Sequence, residues 1–125
     1  MAISPEFLAF LQEQLAPLGH ITARRMFSGA GLYCDGVIFA LILLDAVHFR
    51  VDDANRADYE REGLTPFSYE ARGRTVQVGA YWRIPERLFD DSEEMTEWAR
   101  AALAAGQRAA VKKKPKARRV KSKAR

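Results

Sequence analysis

The residues in this sequence that could carry chemistry are few and scattered. His20 and His48 are the two histidines, and neither belongs to an HExxH motif or a His/Cys spacing typical of metal sites. Cys34 is the single cysteine, so it can neither complete a structural zinc site nor form an internal disulfide. We therefore expect structural roles for both histidines and a buried structural thiol at Cys34. The sequence predicts no metal site and no cofactor.

A glycine-rich stretch from Gly29 to Gly36 superficially resembles a phosphate-binding loop. It lacks the third glycine of GxGxxG, a following helix and the Lys-Ser/Thr pair of a P-loop. We interpret these glycines as a bulge or turn in which two backbones pass closely. The alternative is a small-molecule-binding domain or an uncharacterised enzyme that uses the Gly29–Gly31 region together with Arg25 and Tyr33.

Neighbouring carboxylates could indicate acid/base catalysis, but each pair has a simpler explanation. The pairs Asp52-Asp53, Asp90-Asp91 and Glu93-Glu94 all lie at predicted helix starts, where acids cap the helix and favour its dipole. Neither Ser28 nor Ser68 lies in a GxSxG nucleophile elbow. The prediction is therefore a protein that is not an enzyme, with no catalytic residues.

The charges of the sequence separate into two parts. Residues 1–107 contain ten arginines, no lysine and all 16 acidic residues, a net charge of −6. Residues 108–125, named the basic segment below, contain ten Lys and Arg residues and no acid. Such a run of like charge repels itself, and Pro115 disfavours a continuous helix. We predict a domain over 1–110 and a disordered Lys/Arg-rich tail over 111–125.

A basic tail attracts polyanions largely regardless of their sequence, because its binding to phosphates releases counterions. We therefore predict non-specific nucleic-acid binding through the tail. The residues assigned to this role are Lys112, Lys113, Lys114, Lys116, Arg118, Arg119, Lys121, Lys123 and Arg125. Arginines of the acidic body, such as Arg24, Arg25, Arg50 and Arg74, are expected to pair with its surplus carboxylates.

The pattern of the body predicts helices separated by hairpins. Ser4-Pro5-Glu6 is a typical helix start, followed by leucines at helical spacing as far as Leu18. The stretch 21–27 looks extended, and a meander of three strands follows over 32–51, with Asp35-Gly36 as its first hairpin turn. A short helix over about 54–62 precedes a second hairpin over 67–82.

A last helix is predicted over about 92–110. The order α-β-β-β-α-β-β-α indicates an α+β fold with two layers, in which helices pack on a five-stranded antiparallel sheet. The longest apolar run, Val37 to Leu44, is much shorter than the roughly 18 residues that span a membrane. With an acid near the N-terminus and one cysteine, the sequence predicts a cytoplasmic protein that does not contact membranes.

Several of these residues together resemble a known family. The run from Arg25 to Tyr33, then Asp35-Gly36 and Phe39-Ala40, is similar to the signature of the N-terminal domain of the TfoX/Sxy competence regulators. Later positions also match the pattern, and they are Pro66-Phe67-Ser68-Tyr69, Arg74, Tyr81, Pro85 and Trp98. The resemblance covers about residues 6–107, and it differs at Ser28, where glycine is usual.

The resemblance implies a function as well as a two-layer fold. It implies regulation of DNA uptake and transformation genes without known catalysis, through a transcription-factor partner of the cyclic-AMP receptor protein type. The sequence thus predicts a non-enzymatic regulatory or adaptor protein. Candidate residues for a partner surface on the body are Arg24, Arg25, Phe27 and Tyr81.

Overall fold

A computed structural model describes residues 4–26, 29–43 and 46–123 of the chain, with side chains as far as Lys112. The helices are α1 (Pro5–Gln14), α2 (Arg56–Arg61) and α3 (Ser92–Lys123), with short 3-10 turns at Ala16–Leu18 and Glu86–Asp90. The strands are β1 (Ile21–Met26), β2 (Gly29–Cys34), β3 (Val37–Leu43), β4 (Ala46–Arg50), β5 (Pro66–Ala71) and β6 (Arg74–Arg83).

The strands form one antiparallel sheet in the order β1-β2-β3-β4-β6-β5. The α+β class and the antiparallel sheet are confirmed, but the prediction of five strands is wrong because the described sheet has six. The additional strand is β1, which pairs along its whole length with β2, from Ile21 opposite Cys34 to Met26 opposite Gly29. Its two arginines weaken the strand pattern in the sequence, yet an edge strand tolerates such charges.

Two hairpins close in tight two-residue turns, the first of them at the Asp35-Gly36 pair that the sequence predicts. Asp35 and Gly36, between β2 and β3, have φ values of 51° and 82°. Arg72 and Gly73, between β5 and β6, have φ values of 52° and 75°. Two successive residues with positive φ form the type I′ turn, whose twist matches that of the flanking strands.

The helices pack on one face of the sheet and bury a single core there. In α1, Ser4 caps the helix by accepting a hydrogen bond from the Phe7 amide at 3.1 Å. Leu11 of α1 and Met95 of α3 are fully buried against the sheet. Side chains on this face of the sheet include Leu32, Ala40, Ile42, Phe49 and Trp82.

The other face of the sheet carries no helix from the described part of the chain, and we call it the open face. Its residues are set by the register, which places Arg24, Gly31, Leu41, His48 and Arg83 in one row across five strands. Tyr33, Ile38 and Phe67 also belong to this face. Most of these side chains are half-buried by one another rather than by a second layer.

Helix α3 continues beyond the predicted end at residue 110. The sequence predicts disorder over 111–125, whereas the backbone described here is helical through Lys123. Alanine, lysine and arginine are strong helix formers, so a helix that the body has already nucleated can extend into such a sequence, although Pro115 removes one of its backbone hydrogen bonds. The basic segment therefore begins as a direct continuation of a helix packed on the body.

Candidate interaction surfaces

The root of the basic segment is tied to the body by a two-point ion pair. The Arg108 guanidinium donates through Nε to Asp52 Oδ2 at 2.7 Å and through Nη2 to Asp52 Oδ1 at 3.0 Å. This bond is the main cause that lowers the pKa of the Asp52 carboxyl, with a smaller contribution from the Ala54 amide. The pair joins α3 to the loop that follows β4.

Asn55 holds that loop in place from inside the protein. Its side chain is 4% exposed, donates to the Arg50 carbonyl at 3.1 Å and accepts from the Asp52 amide at 2.8 Å. Asp52 in turn accepts from the Ala54 amide at 3.0 Å, which closes a turn before α2. The prediction that an acid at 52–53 caps this helix is wrong, because the N-cap of α2 is Asn55, whose side chain makes no capping bond. Asp52 instead closes the preceding turn, and Arg108 binds both of its carboxylate oxygens.

A groove of about 590 Å³ lies beside this ion pair. Arg50, Arg108 and Lys112 supply its cationic groups, Asp52 its one carboxylate, and Val111 is 65% exposed. The groove therefore continues the positive charge of the basic segment onto the body. An anionic chain bound along the segment would meet further cations there.

A second groove, of about 670 Å³, lies between α2 and α3 and contains several carboxylates. Arg87 bridges the helices there, with contacts of 2.5 Å to Glu62 and 2.8 Å to Glu94. These hydrogen bonds lower the pKa of both carboxyl groups. Because both are stabilised as carboxylates, neither is suited to serve as a general acid near neutral pH.

The predicted structural thiol and strand histidine are both buried. Cys34 is 1% exposed, and burial, with a smaller effect of Asp35, raises the pKa of its thiol. His48 is 4% exposed, and burial lowers the pKa of its imidazole. Its Nδ1 lies 3.1 Å from the Ala46 carbonyl oxygen, and its ring contacts Phe67 edge-on at 5.0 Å. His20 lies just after the 3-10 turn Ala16–Leu18.

Gly29 and Gly31 lie within β2, where close packing explains both of them. A Cβ atom on Gly29 would lie 2.0 Å from the Ile42 carbonyl oxygen. On Gly31 it would lie 2.9 Å from Met26 Cε and 3.3 Å from Tyr33 Cε1. The first position allows two backbones to approach, and the second lets side chains lie flat on the sheet.

The four candidate partner residues do not form one surface. Arg24 lies exposed on the open face of the edge strand β1, and Arg25 lies on the opposite face of the same strand. Tyr81 is 6% exposed on β6, where the Arg50 guanidinium packs over its ring at 5.3 Å. Phe27 lies outside the described residues, and no observation here tests the role of the other three.

The prediction that Arg24, Arg25, Arg50 and Arg74 pair with carboxylates of the body is wrong for the described residues. Among the described residues, no carboxylate lies within 4.0 Å of Arg24, Arg25, Arg50 or Arg74. The arginines that do pair are Arg56, Arg61, Arg83, Arg87 and Arg108. Local spacing could have indicated three of these, since Arg56, Arg61 and Arg83 have an acid three positions away. The Arg108–Asp52 pair depends on tertiary structure and leaves no local signal.

Nothing in the described ranges forms a cluster of three or more metal-ligating side chains. Within the same residues, no helix combines the length and the apolar character needed to cross a bilayer. Of the residues predicted to bind nucleic acid, Lys112 is exposed, and the others are described only by their backbone or lie beyond Lys123. Their role remains a prediction.

Comparison with protein families gives a match over most of the body. The family model described as the TfoX N-terminal domain matches residues 13–106. The chain belongs to the TfoX N-terminal domain family. The matched region of this TfoX N-terminal domain runs from the end of α1 to the part of α3 that packs on the sheet, so the basic segment lies outside it. A search of curated proteins found no match to the chain.

Proposed function

We propose that this chain is a regulatory adaptor of the competence-related type, in which the body binds a protein partner and the basic segment holds the complex near nucleic acid. The observation that carries the proposal is the charge separation. A body with a net charge of −6 is followed by eighteen residues with ten cations and no acid. Electrostatic attraction to phosphates follows from that density of charge.

The geometry at residue 108 supports this division of roles. The ion pair between Arg108 and Asp52 ties the start of the basic segment to the body, and α3 then runs on as one helix. The cations of Arg50 and Lys112 line the adjacent groove. Nucleic acid bound to the segment would therefore be held close to the body and to any protein docked on it.

The kind of partner is proposed from the family. Competence regulators of the TfoX/Sxy type imply a transcription factor similar to the cyclic-AMP receptor protein, and a cytoplasmic role in controlling DNA transformation genes. The family is not known for enzymatic activity. Two observations favour the adaptor over a catalyst or a metabolite-binding domain. Glu62 and Glu94 are both paired with Arg87. Gly29 and Gly31 lie in close contact with neighbouring residues of the sheet, so they do not line an open binding site.

Affinity purification of the full-length chain from cells, with and without nuclease, tests both halves of the proposal. We expect a protein partner that survives nuclease treatment and co-purifying nucleic acid that does not. A variant with the Lys and Arg residues over 112–125 replaced by Gln should lose the nucleic acid and keep the partner. The matched control exchanges Lys and Arg at the same positions, which preserves charge, and should behave like the parent chain.

Two outcomes would contradict the proposal. If no protein remained after nuclease treatment, the body would not be an adaptor. If the neutralised variant retained the same nucleic acid as the charge-preserving control, the basic segment would not be the nucleic-acid-binding element.

A further inference from the structure

The charges within the body are themselves separated between the sheet and the remaining elements. The six described strands contain five arginines and one acid, Glu70, although the body has 16 acidic residues in all. Glu70 accepts a hydrogen bond from the Thr75 hydroxyl at 2.7 Å. It alternates with Tyr69 and so lies on the opposite side of β5 from that ring. The open face thus presents arginines and no carboxylate from the described strands, in a body whose remaining residues hold the other 15 acids.

Arg24 and Arg83 lie in one row at opposite sides of the open face. Arg24 is exposed on β1, opposite Gly31, and its guanidinium carbon lies 5.8 Å from the centre of the Tyr33 ring. Arg83 is exposed on β6, opposite His48, and its nearest described carboxylate oxygen, on Glu86, is 4.0 Å away. Both guanidinium groups can therefore meet phosphates from solvent.

Aromatic rings accompany these cations at both ends of the face. The Tyr33 ring lies over Gly31, where a side chain would displace it. On β5, Tyr69 is 45% exposed and stacks with Phe67 at 6.1 Å and 29°. Phe67 in turn packs on His48, which joins this pair to the central strands. The apolar side chain of Leu41 lies between the two aromatic groups.

We propose that the open face binds single-stranded nucleic acid, with bases stacking on Tyr33 and Tyr69 and with Arg24 and Arg83 contacting the phosphates. An open sheet with exposed aromatics and nearby arginines is the arrangement that single strands use, because unpaired bases can stack on the rings. The four strand spacings between β2 and β5 separate the two tyrosines by about 19 Å. That span suits a site of about four nucleotides.

A duplex cannot use this face in the same way, since its bases are already stacked inside the helix. The basic segment, in contrast, contacts phosphates alone and attracts single strands and duplexes alike. The open face therefore adds a preference for single strands that is separate from the function proposed for the segment. The ratio of the single-strand affinity to the duplex affinity therefore measures the contribution of the open face.

The test measures the binding of the full-length chain to a fluorescent oligothymidine and to a duplex of equal length. Tyr69→Ala and Tyr33→Ala should each reduce the single-strand affinity by about fivefold or more, with little change for the duplex. Tyr69→Phe retains a ring and should restore the preference. Phe10→Ala is the matched control, because Phe10 is 42% exposed and belongs to α1 rather than to the open face.

The neutralised basic segment described above gives a different result, because it should lower both affinities and leave their ratio unchanged. This separates a failure of the segment from a failure of the open face. The proposal is overturned if Tyr69→Ala and Arg24→Gln, both at exposed positions, leave the ratio unchanged while circular dichroism shows a folded protein. Loss of a concentration-dependent dimer in Tyr69→Ala, with no change in the ratio, would assign the face to a second copy of the chain instead.

Discussion

At the scale of single residues, Gly106 sets how closely α3 can approach the sheet. A Cβ atom there would lie 2.5 Å from the Ile38 carbonyl oxygen and 3.1 Å from Val37 Cγ1. Such a contact with backbone cannot be relieved by a rotamer change. The helix must therefore move away from β3, which loosens the packing between the two elements.

Gly106→Ala should consequently lower the free energy of unfolding by about 1 kcal/mol or more, even though alanine favours a helix over glycine by about 1 kcal/mol. Urea denaturation measures the difference. Gly79→Ala is the control, because nothing lies within 4 Å of its Cβ position and its φ is not positive. It should change the free energy of unfolding by less than about 1 kcal/mol. Equal losses in the two variants would show that α3 is not in close contact with β3.

His48 should make the stability of the body depend on pH. Burial is the main cause that lowers its pKa, with Arg83 as a weaker cause in the same direction. The unfolded chain, with a histidine pKa near 6.5, therefore binds a proton at a pH where the folded protein does not. Stability should be full above about pH 6.5 and should fall as the pH drops toward the lowered pKa.

Thermal unfolding at about pH 7.5 and about pH 5.5 checks this expectation, since carboxyl groups titrate mainly below that interval. The melting temperature of the parent chain should be lower at the acidic pH. His48→Gln should reduce the difference, whereas His20→Gln should keep it. The same pH dependence in His48→Gln as in the parent would exclude His48 as its cause.

At the scale of elements, the hairpins were the most predictable part of the fold. Asp35-Gly36 occupies a type I′ turn because Asp and Gly both tolerate positive φ, which is a local property, whereas at Arg72-Gly73 only the glycine favours that backbone. The N-cap at Ser4 is local in the same way. The sixth strand was missed because β1 is recognisable mainly by its pairing with β2, and the extent of α3 because a proline in the sequence suggested an end.

The candidate surfaces were less predictable than the elements. The charge separation along the chain is visible in composition alone, whereas the open face depends on register. Arg24, Leu41 and Arg83 become neighbours in one row only when five strands have paired. Arg108 and Asp52 are likewise joined by tertiary structure, since 56 residues separate them.

That ion pair gives a prediction at this scale. Because the hydrogen bond from Arg108 is the main cause of the lowered pKa of Asp52, Arg108→Gln should raise that pKa toward its usual value near 3.9. A titration of the Asp52 carboxyl by nuclear magnetic resonance measures the change. Arg61→Gln, which removes a local pair with Asp58, is the control and should leave Asp52 unaffected. An unchanged Asp52 pKa in Arg108→Gln would mean that α3 is not tied to the loop after β4.

At the scale of the whole molecule, function is proposed to follow from the way charge is distributed. The helices and loops of the body are acidic, the strands carry arginines, and the chain ends in a strongly cationic segment. Repulsion by the acidic surfaces would keep phosphate chains away from most of the body. Nucleic acid would then be confined to the segment, the groove beside Arg108 and the open face.

The most direct test of this account is the salt dependence of duplex DNA affinity in the full-length chain and in the chain with its basic segment neutralised. If about six cations of the segment contact phosphates, a plot of log affinity against log salt should have a slope of about −5 in the parent chain. Neutralisation should make the slope much shallower while the melting temperature stays nearly unchanged. Equal slopes in the two proteins would contradict the account, because the segment would then not be the element that binds DNA.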